Sequence, residues 1–345
     1  MPLKPFALVL AILTLTTAAI VVPAGEASAV TTIKIALVTP EGSTWTETLH
    51  RFARDVTDET GGEVQFQIYA GGVSGDELDV LRKMRSNRIH AAGFSGVGLG
   101  ILLPEIRILE APLLFRSYAE VDHVKAALYD RFAQGLEKKG FVLLGFAEAG
   151  FVYFFSEPDP SAPGALQEIR MWSWKGDPVA QTFLETFGIP TVPLHLADVN
   201  TGLETGMINA FYSPPLAAVA FQWYTRIRYM MDYPMVNSTG ALLISRRTFQ
   251  QLSPENQRIL KDLARRYCRE LVELTRTENR EAVAVLKESG IRLVTPAPEQ
   301  VKSFEENARK TYEKHTGELY SADLFQRVQS LLKDFRTSRG QNASP

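Results

Sequence analysis

The chain has 345 residues, of which 45% are hydrophobic and 22% are charged, so it is long enough for two hydrophobic cores and too apolar to be disordered. Its 37 basic and 39 acidic residues give a net charge of -2, which excludes a general attraction to nucleic acid or to anionic lipid. A single cysteine, Cys268, excludes an intrachain disulfide and a cysteine-rich metal centre, and we expect no cofactor.

The first 29 residues have the pattern of a secretory signal peptide. Lys4 precedes an apolar run over residues 6–22, and the small residues at 27–29 follow it as a cleavage site. The alternative is an uncleaved anchor helix, but threonines interrupt the run and Pro23 ends it, which makes it short for a membrane span. We therefore expect cleavage after Ala29 and a mature protein that diffuses freely in the periplasm.

The first part of the mature chain alternates strands and helices, and Ser43 is a candidate cap for the first helix. The predicted elements are strands at 33–38, 64–69 and 89–95 and helices at 45–57 and 76–85. A βαβαβ order indicates a parallel sheet covered by helices, with a ligand crevice at the carboxyl ends of its strands. Residues 39–45 and 94–96 lie at such ends.

A second α/β unit follows a long strand. Residues 141–155 are too rich in glycine and aromatic residues for a good helix, and they are long enough for a strand that runs between two lobes. The elements predicted after it are strands at 168–172, 191–194, 207–212, 228–233 and 236–245 and helices at 178–187, 199–205 and 254–289. Two lobes joined by more than one crossing enclose a cleft that closes about hinges, which we place near residues 148–153 and 233–238.

Signatures of catalysis are weak in this sequence. The segment around Ser95 resembles a nucleophile elbow, but Val97 stands where the second glycine of Gly-x-Ser-x-Gly is required. The five histidines lack the spacing of a metal site: they are His50, His90, His123, His195 and His315. A secreted hydrolase with its active site between the lobes remains an alternative, which requires two facing carboxylates that no motif places.

Aromatic residues at strand ends are the more informative pattern. Trp172 and Trp174 are two positions apart, so in an extended strand both indoles point to one side, where they either stack on a solute or pack in the core. Tyr212 and Ser213 precede two prolines, which fix the following loop and expose one of these side chains. Both strand ends are therefore candidate walls of the cleft.

The mature chain is similar over nearly its whole length to the DctP-type solute-binding proteins of tripartite ATP-independent periplasmic (TRAP) transporters. The resemblance rests on the order and spacing of the motifs TPEGS (39–43), YAGGVSGDE (69–77), LRKM (81–84), LEAPLLF (109–115), LETGMINA (203–210) and LSPENQ (252–257). It implies an α/β fold of two lobes with mixed sheets, an interlobe cleft and a long connecting helix. It further implies a receptor, not an enzyme, that delivers a small organic solute to a membrane permease driven by an ion gradient.

The resemblance also predicts a departure in the ligand site. Members of this family commonly carry an arginine, in a pattern like Leu-Lys-Gly-x-Lys-x-Arg, that pairs with a substrate carboxylate. Laid on residues 166–172, the pattern places Arg170 on the second lysine and Trp172 on the arginine. A second basic position, in a Gly-Phe-Arg segment of relatives, corresponds to Val152. We therefore expect a ligand less anionic than the dicarboxylates, sialic acids or 2-oxo acids that such proteins carry.

The predicted ligand site combines aromatic surfaces with neutral polar groups. Arg170 is included because it has the strand parity of Trp172, and Asp177 and Glu148 are candidate counter-charges for a cationic solute. The predicted ligand-binding residues are Trp45, Phe94, Ser95, Phe151, Tyr153, Arg170, Trp172, Trp174, Asp177, Tyr212, Ser213 and Asn237. No catalytic residue and no metal ligand is predicted.

The expected domain organisation follows from the two crossings. The predicted parts are a signal peptide at 1–29, a first lobe at 30–148 plus about 235–285, a second lobe at 149–234 plus about 286–325, and a C-terminal tail at 326–345. The expected partners are the solute and the permease subunits of a TRAP transporter, and the expected state is a monomer. A ligand-sensing subunit of a signalling system is a further alternative, which differs only in the protein that recognises the closed state.

Overall fold

The computed structural model describes residues 30–161 and 168–342, so the expected signal peptide lies outside the described residues. The strands are β1 (Thr31–Ala36), β2 (Val64–Tyr69), β3 (Ala91–Ser95), β4 (Phe141–Ser156), β5 (Met171–Trp174), β6 (Thr191–Leu194), β7 (Ala210–Ser213), β8 (Tyr229–Met231), β9 (Val236–Ser245) and β10 (Arg292–Val294). The helices are α1 (Thr44–Glu59), α2 (Glu77–Arg85), α3 (Gly96–Leu102), α4 (Tyr118–Lys138), α5 (Pro178–Glu185), α6 (Val199–Glu204), α7 (Pro215–Ala220), α8 (Arg246–Gln251), α9 (Pro254–Glu288), α10 (Pro298–His315) and α11 (Ala322–Asn342). None of these helices combines the length and the apolar composition that a membrane span requires.

The amino-terminal unit has the strand and helix order that its sequence predicts. Ser43 caps α1 by accepting a hydrogen bond from the backbone N–H of Thr46, and Asp76 caps α2 by accepting one from Glu77. Strand β1 lies between β2 and β3 and runs parallel to both. The carboxyl ends of these strands therefore meet at one edge of the sheet, where the predicted crevice lies.

Strand β4 passes from one lobe into the other. The strand order is β2-β1-β3-β9-β4-β7-β5-β6, with β9 antiparallel between β3 and β4. Over Phe141 to Val152, β4 pairs with β9, and over Tyr153 to Ser156 it pairs with β7. The sheet is thus continuous, and its two halves meet in the middle of β4.

The ladder between β4 and β9 is irregular at this crossing. The register shifts between Glu148 and Gly150, and Gly150 has a φ of +105°, a conformation that other residues rarely adopt. A Cβ atom at this position would lie 2.5 Å from Nδ2 of Asn279 on α9. The irregularity falls within the hinge region expected at residues 148–153.

Buried side chains form separate cores on the two sides of the crossing. Phe52 and Phe94 lie on opposite faces of the first half of the sheet, each in its own cluster. Phe155, Trp172 and Phe211 form the main core of the second half. The half that contains β1 and β3 is called the first lobe, and the half that contains β5 and β7 is called the second lobe. The exact lobe boundaries stay a prediction.

Helix α9 connects the lobes. It is 35 residues long, and it packs against α1, β4 and α7. Cys268 belongs to a core of the first lobe, whereas Leu286, five turns later, belongs to the core of the second. Helix and sheet approach closely at Gly145, where a Cβ atom would lie 2.7 Å from Sγ of Cys268. Burial raises the pKa of this thiol to about 12.

The segment expected as a C-terminal tail is a helix of the first lobe. In α11, Leu324, Val328 and Leu332 are buried in the same core as α4. Arg336 pairs with Glu120, near the start of α4, at 2.8 Å. The tail prediction is wrong because the apolar residues of this segment recur at helical spacing and have a buried face to cover.

Candidate ligand-binding site

A cavity of about 410 Å³ lies between the lobes, at the carboxyl ends of β1, β3, β5 and β7. The first lobe lines it with the residues that follow β1, the start of α1 and the end of β3. The second lobe contributes the ends of β5 and β7 and most of α7. Both connections also reach it, β4 through Val152 and α9 through Thr275 and Glu278. A solute in this cavity would contact both lobes at once.

The wall of the cavity, as far as the described residues form it, is mainly hydrocarbon and carries no positive charge. Within residues 30–161 and 168–342, no arginine, lysine or histidine lines it. Leu37, Val152 and Leu216 are typical of the wall, and its acidic members in this part of the chain are Glu77 and Glu278. An anion that enters would lose water without gaining a cationic partner, which costs several kcal/mol.

Glu77 is a buried carboxyl group whose oxygens are already bonded to the protein. Oε1 accepts from the backbone N–H of Ser95 at 2.7 Å, and Oε2 accepts from the Ser95 hydroxyl at 2.9 Å and from the N–H of Gly98 at 2.7 Å. A Cβ atom at Gly98 would lie 2.5 Å from Oε2, so glycine permits this approach. Burial raises the pKa of Glu77 to about 7, although the hydrogen bonds from Ser95 and Gly98 oppose the rise.

Glu278, unlike Glu77, has carboxylate oxygens with acceptor positions that the described residues leave unused. It is half-buried on α9, and its Oε2 accepts a hydrogen bond from the hydroxyl of Thr44, the first residue of α1. No salt bridge and no backbone N–H donor to its carboxyl group is found in the described part of the chain. Its carboxyl group therefore has unused acceptor positions at the cavity wall.

Two buried hydroxyl groups at the cavity lack hydrogen-bond partners. Thr239 on β9 is 1% exposed and Thr275 on α9 is 0% exposed, and Oγ1 of each has no partner among the described residues. Both side chains line the cavity. A buried hydroxyl without a partner is costly, so both groups are suited to bonding with a solute or with water.

Stacked aromatic rings form the second-lobe wall. Trp172 stacks on Tyr212 with ring centroids 5.2 Å apart, and it meets Trp223 edge to face at the same distance. The Trp172 indole N–H donates to the carbonyl of Leu194 at 3.2 Å. Trp172 is only 2% exposed, so it is both part of the core and part of the cavity wall.

The lobes also contact each other directly at the cavity rim. Asp76, the cap of α2 in the first lobe, accepts from the indole N–H of Trp174 at 3.1 Å and lies 2.9 Å from Nδ1 of His195. Trp174 and His195 belong to the second lobe. These contacts exist only when the lobes are close together, so the structure represents a closed form.

A buried ion cluster makes a second contact between the lobes. Arg107 of the first lobe is 3% exposed and pairs with Asp177, which caps α5 in the second lobe, and with Glu110. The contact with Glu110 is close but lacks hydrogen-bond geometry, and Nε of Arg107 has no acceptor in the described part of the chain. The cluster lines a small cavity of about 80 Å³ beside the larger one.

The structure brings seven of the twelve predicted site residues to the large cavity. They are Trp45, Phe94, Ser95, Trp172, Trp174, Tyr212 and Ser213. Phe151 and Tyr153 are absent from its wall because strand residues alternate between faces, and Val152 occupies the cavity side of β4. Phe151 instead packs on Tyr118, with ring centroids 4.8 Å apart.

The predicted charged contacts lie elsewhere. Arg170 is exposed outside the cavity, because it precedes β5 and its guanidinium group donates to the carbonyl of Gly206 at 2.9 Å. Asp177 is paired with Arg107 in the small cavity. Glu148 is fully buried and bonds to Lys125 and Arg276. Neither acidic residue is therefore available to a cationic solute.

Asn237 is also not part of the large cavity wall. It is 1% exposed on β9, and its side-chain amide has no hydrogen-bond partner among the described residues. Its neighbour Ser238 lines both cavities. Ser238 therefore lies on the cavity side of β9, and Asn237, one residue earlier, lies on the opposite face of the strand.

Sequence reasoning missed Thr275, Glu278 and the apolar face of α7. Thr275 and Glu278 are three residues apart and so share one face of α9, but nothing in a charged amphipathic helix distinguishes the face that meets a cavity from one that meets water. The described residues contain no group of three His, Cys, Asp or Glu side chains arranged as metal ligands.

Comparison with known proteins gives consistent matches. The family model "DctP: bacterial extracellular solute-binding protein, family 7" matches residues 35–318. A solute-binding protein of Verminephrobacter eiseniae is 26% identical over 274 residues, which are 78% of this chain and 80% of that protein. The 2,3-diketo-L-gulonate-binding periplasmic protein of Escherichia coli is 23% identical over 256 residues, with 72% and 78% of the two chains covered.

Solved structures share the fold at low sequence identity. A TRAP periplasmic solute-binding protein of Ralstonia eutropha with bound (S)-2-acetolactate has a TM-score of 0.82 and 19% identity, with 88% of this chain and 99% of that chain covered. A TRAP periplasmic solute-binding protein of Sulfitobacter with bound β-D-galacturonate has a TM-score of 0.80 and 20% identity, over 88% and 100%. The two-lobed α/β fold predicted from sequence is confirmed, and the hydrolase alternative finds no support.

Proposed function

This chain belongs to the DctP family of bacterial extracellular solute-binding proteins, and we propose that it carries a neutral or cationic organic solute to the membrane subunits of a TRAP transporter. The family assignment covers most of the mature chain. The charge of the solute is the part of the proposal that departs from the two solved relatives, whose bound ligands are the carboxylates acetolactate and galacturonate.

The observation that carries this proposal is the absence of a cationic side chain from the described cavity wall. Trp172 and Val152, which the sequence resemblance aligns with basic residues of the family pattern, both line the cavity with apolar surface. The nearby cation, Arg107, is held by Asp177 and Glu110, so its charge is already paired within the protein. A solute is then held by apolar burial and by hydrogen bonds to hydroxyl groups.

Lobe closure provides the mechanism of recognition. Strand β4 and helix α9 connect the lobes, and Gly150 lies at the irregular point of β4. A solute that contacts Trp45 of the first lobe and Tyr212 of the second favours the closed form over the open one. The membrane subunits would then recognise the closed surface. Export to the periplasm through a cleaved signal peptide at 1–29 is part of the same proposal.

A solute screen tests this function. Purified mature protein, starting at Val30, is heated with a library that contains carboxylates, neutral solutes and organic cations, and the rise in Tm identifies ligands. Small-angle scattering then measures whether a ligand reduces the radius of gyration. We expect neutral or cationic ligands to stabilise the protein and to favour its compact form. Stabilisation by carboxylates alone would contradict the proposed ligand class, and no ligand in a broad library would contradict the receptor function.

A further inference from the structure

We propose that Glu278, Thr275 and Thr44 form a recognition site for a protonated amine, so that the solute is an organic amine with an apolar body. The inference rests on the proposed receptor function, and it names which of the two solute classes the cavity takes. It places the ammonium group of the solute at the α9 side of the cavity and its apolar part against the aromatic wall.

Glu278 occupies a fixed position in the fold. The adjacent Asn279 anchors this turn of α9, because its side-chain oxygen accepts from the N–H of Leu216 at 3.0 Å and its Nδ2 donates to the carbonyl of Ala149 at 2.8 Å. These bonds tie α9 to α7 and to β4 beside the cavity. The hydroxyl of Thr44 on α1 bonds to Glu278 itself. Contacts with three other elements of the structure therefore hold the carboxyl group at the cavity wall.

Thr275 adds an unpartnered hydroxyl group beside this carboxylate. The residue precedes Glu278 by three positions, so the two side chains are neighbours on one face of α9. Thr275 is 0% exposed, lines the cavity, and has no hydrogen-bond partner for Oγ1 among the described residues. An ammonium group has three donors, and it can satisfy the Thr275 hydroxyl and the Glu278 carboxylate together.

The other acidic groups of the cleft are already occupied. Glu77 accepts three hydrogen bonds from Ser95 and Gly98. Asp177 is paired with Arg107, and Asp76 with the side chains of the second lobe. Glu278 is the acidic group of the large cavity that bonds only to a neutral hydroxyl in the described part of the chain. A cationic solute would supply the positive partner that this carboxylate lacks there.

Aromatic rings near this side add to the preference for a cation. Trp45 follows Thr44 in the chain and lines the cavity, and its ring lies against β9, where a Cβ atom at Gly240 would be 3.0 Å from it. The face of an indole attracts a cation, most strongly where water is excluded. The rings of Trp172 and Tyr212 offer flat apolar surface to the body of the solute.

A charge series on one ring tests the inference. Benzylamine, benzyl alcohol and benzoate share a ring and differ in the charge of the head group, and their affinities for the mature protein are measured by isothermal titration calorimetry at pH 7.5. We expect benzylamine to bind at least tenfold more tightly than benzoate, with the alcohol between them. Replacing Glu278 by Gln should weaken benzylamine about tenfold and change the affinity for benzyl alcohol less than twofold, because only the amine pairs with the charge.

Two further variants separate this site from a general effect of charge on α9. Glu281→Gln removes an exposed acidic residue one turn away that does not line the cavity, and it should leave all three affinities unchanged. Thr275→Val keeps the side-chain shape and should also weaken benzylamine. Benzoate binding as tightly as benzylamine, no binding of benzylamine, or an unchanged affinity in Glu278→Gln would overturn the amine site. The receptor function would stand in each case if the library screen yields another ligand.

Discussion

The two adjoining cavities of the cleft differ in the charged side chains that line them. The large cavity has apolar walls and no cation in its described part, whereas the small cavity beside it contains Arg107, Glu110 and Asp177. The two share Ser95, Trp174 and Tyr212 in their walls, so only a layer of side chains separates them. The positive charge buried between the lobes is thus paired within the protein instead of being available to a solute.

Because of this difference, one set of residues contributes to the free energy of lobe closure and another set determines which solute is bound. Burying Arg107 is tolerable because two carboxylates accompany it, one from each lobe. The ion cluster therefore depends on the lobes being together, whatever the solute. The large cavity adds apolar burial and the groups on α9, which determine which solute is held. Substitutions in the small cavity, in the large cavity and at the rim between the lobes test the two sides of this comparison.

The largest effect is expected from Arg107→Met. The variant leaves Glu110 and Asp177 buried without their cation, and we expect a loss of about 3–5 kcal/mol in the free energy of unfolding. Urea denaturation at pH 7 measures it. Arg131→Met is the matched control, because Arg131 pairs with Glu105 at the surface and should cost less than about 1 kcal/mol. Equal losses in the two variants would show that the cluster does not stabilise the closed protein.

The second effect concerns pH and Glu77. Burial raises the pKa of Glu77 to about 7, so the folded protein keeps this proton up to near pH 7, whereas the unfolded chain releases it near 4.5. The stability that this proton contributes is complete below about pH 4.5 and is lost as pH rises to 7.

Comparison with Glu77→Gln isolates this contribution. The variant has no titrating group at this position, so groups such as Glu110 affect both proteins alike. Between pH 5 and pH 7.5, the unfolding free energy of the natural protein should fall by about 2 kcal/mol relative to that of the variant. Urea denaturation over this pH range measures both curves, and parallel curves would be evidence against a protonated Glu77.

The smallest effect is expected at the cavity rim. Asp76→Asn keeps an oxygen that can cap α2, but it removes the charge beside His195 and weakens the acceptor for the Trp174 indole. We expect the Kd for a solute from the screen to rise about threefold to tenfold, with little change in stability. Asp79→Asn, on the same helix at an exposed ion pair with Arg82, is the control. An unchanged Kd would show that the rim contacts do not favour closure.

Periodicity and turn residues were sufficient to predict the main elements near the cleft. Strand β2 and strand β6 begin and end at the predicted residues, and β4 has the length expected of a strand that crosses between lobes. Trp172 and Trp174 line the same cavity, as predicted, because residues two positions apart in a strand point to the same side. Only the resemblance to the DctP family indicated that Trp172 and Val152 stand where relatives carry basic residues, because composition alone does not show which positions line a ligand site.

The residues whose positions differ from the sequence-based expectation depend on contacts between distant parts of the chain. Phe151 and Tyr153 do not line the cavity because β4 turns the alternate residue Val152 toward it, and the face that each residue takes depends on the register shift of β4 near Gly150. Asp177 pairs with Arg107, which is 70 residues away in the sequence, and no local sequence pattern predicts such a contact. Helix α3 follows a strand in a glycine-rich segment, and distant side chains explain two of its glycines. A Cβ atom would lie 2.5 Å from Oε2 of Glu77 at Gly98 and 2.7 Å from Cδ of Arg107 at Gly100.

The single cysteine gives this protein a natural reporter. The Cys268 thiol is buried between α9 and β4, and a pKa raised to about 12 leaves almost no thiolate at neutral pH. A thiol-reactive dye can therefore attach only during excursions in which the long helix lifts from the sheet. A bound solute that contacts α9 should make these excursions rarer, so the labelling rate would measure ligand occupancy without any engineered probe.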